Sequence, residues 1–84
     1  MKKITSAQIR AARALLRWSA EDLARAATLG VATIRRAELE EGTINATAAN
    51  ALAIRRTLEE AGVEFLDENG RGAGVRLRKK PRKK

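Results

Sequence analysis

Two stretches with the composition and periodicity of short helices are separated by only three residues, Thr28-Leu29-Gly30, and no other feature constrains the fold as much. On the near side, Ser19 precedes Glu21 and Asp22, a serine cap ahead of an acidic first turn. This predicts a helix over roughly Ala20–Ala27 that buries Leu23, Ala24 and Ala27. On the far side, a helix starting at about Val31 turns Ile34 and Ala37 inward. It is expected to end near Glu41-Gly42, where glycine can take the left-handed C-terminal position.

The flanking sequence extends the same pattern, since Ala, Leu, Arg and Glu dominate residues 6–61 and favour helix. Ser6 or Thr5 can cap a first helix running to about Trp18, with Ile9, Ala12 and Leu16 on one face. After a loop over Thr43–Ala46, Thr47 starts a fourth helix with Ala51, Ile54, Leu58 and Ala61 in register, stopping at Gly62. The period then changes. Val63-Glu64-Phe65 and Val75-Arg76-Leu77-Arg78 alternate apolar and polar residues, as strands do. Between them, Asn69-Gly70 and the glycines at 72 and 74 supply residues able to take positive φ, which predicts a β-hairpin.

Composition removes several function classes. A chain of 84 residues allows one domain with a small core. It has no cysteine for a disulfide or thiolate site and no histidine for general-base or metal work. No apolar run is long enough to span a membrane or act as a signal sequence, so a cytoplasmic location is expected. The acidic pairs Glu40-Glu41 and Glu59-Glu60 lie on adjacent helical positions that point about 100° apart, so they read as solvated helix ends rather than as catalytic carboxylates. No helix follows the glycines at 70, 72 and 74, so a hairpin turn is the better reading than a phosphate-binding loop. No catalytic residue, metal, cofactor or small-molecule ligand is expected, and the chain does not read as an enzyme.

Charge is distributed unevenly. Residues 1–70 hold ten basic and ten acidic side chains, whereas residues 71–84 hold eight basic and no acidic ones, which is the whole excess of +8. Such a block suits contact with a polyanion, the plainer alternative being a solubilising tail. Beyond the hairpin, Lys79, Lys80, Pro81, Arg82, Lys83 and Lys84 have nothing apolar to bury and should be disordered when free.

Trp18-Ser19-Ala20-Glu21-Asp22-Leu23-Ala24 through Val31-Ala32-Thr33-Ile34-Arg35-Arg36-Ala37-Glu38 resembles the helix-turn-helix of the Cro/C1-type (XRE) transcriptional regulators. The resemblance covers about residues 6–62. Its most specific parts are Leu23-Ala24, Thr33-Ile34 and Glu38 at fixed separations, and a looser likeness continues into the hairpin. It implies a mainly α, lambda-repressor-like helix-turn-helix domain of four or five helices over residues 1–62. The hairpin over 63–78 and a basic tail over 79–84 complete the expected organisation.

By position, the resemblance places Ser19, Ala20, Gly30, Val31, Ala32, Thr33, Arg35 and Arg36 at the DNA, with Lys79, Lys80 and Arg82 added from the tail. An arginine can bond both O6 and N7 of guanine, worth about 1–3 kcal/mol of discrimination. Val31 and Ala32 can pack on thymine methyl groups, while Ser19, Thr33 and helix-start N–H groups suit phosphates. Taken on composition alone, Arg35 and Arg36 would read as a solvated helix face. Two departures stand out: Gly30 falls where the family has a Ser or Thr cap, and Thr28 where a turn glycine is common. The second departure suggests a slightly different turn, or one that holds a β-branched residue in a less extended conformation. The resemblance also pairs Arg13 with Glu38 across the helices, and puts Trp18 at a partly buried apolar position.

A hairpin alone is marginal in water, so Val63, Phe65, Val75 and Leu77 must pack on helix four or on a second copy, with Leu66 as an extra contact on the other strand face. The expected partner is double-stranded DNA, read as an inverted repeat by a homodimeric regulator of the repressor kind. Compact members of the family are frequent in phages and other mobile elements. An antitoxin or antiactivator that binds another protein is the alternative, and an architectural DNA coater is a third reading.

Overall fold

The first helix begins one residue earlier than its buried serine suggests. In the structure, a computed structural model describing residues 3–39, 42, 44, 46–67 and 70–78, Thr5 is the cap and its side chain accepts the Gln8 N–H. Ser6 is already helical and fully buried, and its N–H donates to the Gly42 carbonyl at 2.9 Å. The elements run α1 (Ser6–Leu16), α2 (Ala20–Ala27), α3 (Val31–Leu39), α4 (Ala48–Glu60), β1 (Val63–Leu66) and β2 (Gly74–Leu77). The fold is therefore mainly helical, with four helices among the described residues and a two-stranded antiparallel hairpin.

Each helix contributes two of its expected inward positions to one cluster, while Ala27, expected to be buried, is only half-buried. Ile9 and Ala12 come from α1, Leu23 and Ala24 from α2, Ile34 and Ala37 from α3, and Ile54 and Leu58 from α4. Ile9, Leu23, Ile34, Ile54 and Leu58 are completely buried, and removing each from water contributes about 1.5–3 kcal/mol before the entropy cost of ordering. Ile4 and Ile44 close the cluster from outside the helices, which helical periodicity alone did not single out. Leu16, Trp18, Leu29 and Val31 pack against it half-buried. No helix among the described residues is long and apolar enough to cross a membrane.

The hairpin register pairs Val63 with Leu77 and Phe65 with Val75 on one face, and Glu64 with Arg76 and Leu66 with Gly74 on the other. Val63 is fully buried and Phe65 nearly so, both within the core of the same chain. Arg55 of α4 lies 5.1 Å above the Phe65 ring. Of the two packings expected, Val63 and Phe65 take the one against the protein's own chain, which withdraws their side chains from the dimer contact otherwise expected of them. Val75 is half-buried against the same core, whereas Leu66 and Leu77 remain exposed. Gln8 adds a polar tie. Its amide oxygen accepts the Thr5 N–H, and its amide nitrogen donates to the carbonyls of Gly74 (2.9 Å) and Leu66 (3.2 Å).

Helix α3 is described as far as Leu39, and of its expected end near Glu41-Gly42 only Gly42 lies among the described residues, where it takes positive φ and its carbonyl accepts the Ser6 N–H. Two expectations about turns change. Gly74 lies in β2, so the hairpin connection draws its positive φ from Gly70 and Gly72. Thr28 adopts the left-handed conformation itself (φ 60°, ψ 45°), so the turn keeps the geometry that favours glycine and fills it with a β-branched residue.

Candidate nucleic-acid interface

The outer face of α3 is the starting point, because its inner face is fixed. Ile34 and Ala37 are buried in the core, which by helical spacing turns Ala32, Arg35 and Arg36 outward, and all three are exposed. At the C-terminal end Glu38 is gripped from α1. Arg13 Nε donates to one carboxylate oxygen at 2.8 Å and Nη2 to the other at 2.9 Å, a bidentate pair. The third nitrogen of Arg13 donates to the Trp18 carbonyl at 3.0 Å. Hydrogen bonding to Glu38 holds the Arg13 guanidinium above its ordinary pKa in spite of partial burial. Arg10 donates to the Glu38 main-chain carbonyl at 2.7 Å, so both arginines of α1 anchor the same end of α3.

The expected site residues divide into several groups. Ala32, Arg35 and Arg36 form the exposed face, with Thr33 half-buried beside them. Val31 is half-buried against the core, which leaves only part of its side chain open. Gly30 is exposed, and its carbonyl accepts the N–H groups of Thr33 (3.0 Å) and Ile34 (3.4 Å). Ser19 caps α2 in a reciprocal box: its hydroxyl accepts the Asp22 N–H and its own N–H donates to the Asp22 carboxylate. Those bonds hold the Asp22 carboxyl below the usual carboxylate range, with the backbone contribution from Ser19 the largest. Ala20 is buried with the core at the first position of α2, so its side chain is withdrawn and only its main-chain N–H remains for the contact expected of it. Lys79, Lys80 and Arg82 lie outside the described residues.

Two arginines on α3 differ in their surroundings. Arg35 is ion-paired with Glu21, in the first turn of α2. Arg36 makes no ion pair among the described residues. It borders an open groove of about 390 Å³, together with Thr33 and with Ala46, Thr47 and Asn50 at the start of α4. Thr47 caps α4 by accepting the Asn50 N–H at 3.1 Å. The groove therefore joins the outward side of α3 to a second helix start.

Glu21, Thr47, Asn50 and Gln8 were not among the site residues expected from sequence. Gln8 carried a readable signal, because Thr5-x-x-Gln8 has the spacing of a capping box. Glu21 carried none, since its partner lies fourteen positions away on another helix. No protein-family model, no curated protein and no solved structure matches the chain. The functional reading therefore rests on these residues and their geometry.

Proposed function

We propose that the chain is a sequence-specific double-stranded DNA-binding regulator of transcription, of the Cro/C1 type and acting as a repressor. In this reading α2 and α3 are the helix-turn-helix, with α3 entering the major groove. One observation carries it: α3 keeps Arg35, Arg36 and Ala32 exposed on a face whose reverse is locked by Ile34, Ala37 and the Arg13–Glu38 pair. A helix that reads bases must present short and cationic side chains from a rigid support, because base edges are addressed over hydrogen-bond distances.

The division of labour follows from chemistry. Arg36 donates to guanine O6 and N7, while Ala32 and the open part of Val31 lie against thymine methyl groups. Ser19, Thr33 and Thr47 supply hydroxyls, and helix-start N–H groups add donors, for phosphates on either side. The basic residues of 71–84 give the long-range attraction that the neutral remainder lacks. The unit acts as a homodimer on an inverted repeat, with exposed Leu66 and Leu77 as the hairpin residues left for contact.

Selection of bound duplexes from a random pool tests the reading. A symmetric pair of half-sites is expected, and Arg36→Ala should relax preference at one base pair in each. Equal losses on selected and random DNA would make Arg36 a phosphate contact. A protein-binding role, as an antitoxin or antiactivator, draws on the same exposed Leu66 and Leu77. A stoichiometric partner retained through purification, combined with no selected DNA sequence, would favour it.

A further inference from the structure

The ion pair between Arg35 and Glu21 joins the outer face of α3 to the first turn of α2. Both side chains are more than half exposed, so the pair adds little to stability. Its consequence is local charge. Glu21 is favourably placed in the first turn of α2, where the helix dipole stabilises a carboxylate. It engages Arg35 through Nη2, and Nε and Nη1 make no hydrogen bond among the described residues. Arg35 thus presents a free edge while the pair as a whole is neutral. Arg36, the next residue on the helix, has no ion pair among the described residues.

A phosphate and a guanine edge respond differently to such a pair. A phosphate attracts a net positive charge and is repelled by the adjacent carboxylate. Guanine O6 and N7 are uncharged acceptors, which a guanidinium can address while one of its nitrogens stays with Glu21. We infer that Glu21 is a positioning residue that sets specificity: its carboxylate keeps Arg35 off the phosphate backbone and reserves it for a base edge. The inference rests on the DNA-binding reading above and adds Arg35 to Arg36 as a reader of base edges.

The test uses the full chain as wild type, Glu21→Gln, Arg35→Gln and the double variant. Each is measured for base preference in selected DNA and for the salt dependence of binding to a mixed-sequence duplex. Glu21→Gln should release Arg35 to a phosphate, steepening the slope of log affinity against log salt by about 0.9. It should also erode a guanine preference of roughly five- to a hundredfold at one base pair per half-site. In the Arg35→Gln background the same change should move neither quantity. A Glu21→Gln effect that persists without Arg35 is a general loss of negative charge and overturns the inference. So does a wild-type protein that selects a sequence while Glu21→Gln leaves slope and preference unchanged. A wild type that selects no sequence overturns the DNA-binding reading itself, and this inference with it.

Discussion

The junctions before and after α2 are the same structure built from different side chains. Arg17-Trp18-Ser19 joins α1 to α2, and Thr28-Leu29-Gly30 joins α2 to α3. The first residue of each is left-handed, Arg17 at φ 59° and Thr28 at φ 60°. In each, its N–H reaches back to the carbonyl three residues before it, Ala14 or Arg25, and the next N–H to Arg13 or Ala24 at 2.9 Å. That is the Schellman arrangement, which satisfies the last carbonyls of a helix. The second residue, Trp18 or Leu29, packs half-buried on the core. The third precedes the new helix. Backbone hydrogen bonding and one apolar contact thus dictate both turns, whatever occupies them.

Side chains make the junctions unequal. At the first, Ser19 and Asp22 cap α2 reciprocally and Arg13 fastens the Trp18 carbonyl to Glu38. At the second, glycine offers no side-chain cap, and threonine sits where the backbone favours glycine. The first junction is a fixed corner of the core. The second leaves the start of α3 to whatever that helix meets.

Removing the fastening of the first junction should have the largest effect. Glu38→Ala strands the Arg13 guanidinium, whose side chain is 22% exposed against 9% for Glu38. Breaking such a pair from one side costs about 3 kcal/mol, at the lower end because Arg13 keeps some water. For a domain of this size the Tm should fall by roughly 12–24 °C. An unchanged melting curve would mean that Arg13 holds the junction through the Trp18 carbonyl alone.

The cap comes next. Ser19→Ala should cost about 1 kcal/mol in denaturant unfolding, since Asp22 N–H loses its acceptor at the start of α2. The same box gives the junction a pH dependence. Asp22 has a folded-state pKa below its unfolded value. Its contribution is therefore complete above the usual carboxylate range and is lost as pH falls through the depressed folded value. Comparing Asp22→Asn with wild type across acid pH should show curves that converge at the acid end. Parallel curves would show that the carboxylate contributes nothing to the cap.

These junctions also mark what the sequence made legible. Ser19 with Asp22 announced α2 correctly because capping chemistry is local, and Leu23, Ala24, Ile34, Ala37, Ile54 and Leu58 followed from spacing. The hairpin was readable from its alternation, but not where its apolar face goes, since a strand pattern does not say whose core it joins. The burial of Ala20 was unreadable for a related reason: its position in the motif was clear, but its burial depends on how α2 packs. Glu21 beside Arg35 was invisible, because the angle between α2 and α3 decides that contact. Thr28 misled because its identity argues against left-handed backbone, while the tertiary context imposes it.

A smaller effect should follow from relieving that conflict. Left-handed backbone costs a non-glycine residue about 1–2 kcal/mol, and glycine returns part of that gain as unfolded-chain entropy. Thr28→Gly should therefore stabilise the protein by about 0.5–1 kcal/mol, raising the Tm by roughly 2–8 °C. Arg17→Gly relieves the same conformation without a β-branch and should gain less. An equal or larger gain at Arg17 would remove β-branching as the source of the difference between the junctions.

The smallest effect should come from giving the second junction the cap of the first. Gly30 is outside the left-handed region, and a Cβ built on it meets nothing within 4 Å. A serine there fits without displacement, in the position where its hydroxyl can accept from the first turn of α3, as Ser19 does from Asp22. Glycine is itself a tolerable cap, so Gly30→Ser should gain only a few tenths of a kcal/mol. Combined with Thr28→Gly, the two changes touch neighbouring backbone, so their sum should be measured rather than assumed. Their effect on binding separates two uses of the open helix start. If the uncapped N–H groups of α3 donate to a phosphate, a serine that occupies them should weaken binding to random and selected DNA alike, even as the Tm rises. If the serine hydroxyl instead reaches a phosphate, both affinities should increase together. Unchanged binding would place the start of α3 away from the DNA backbone and leave Ser19 and Thr47 as the phosphate contacts.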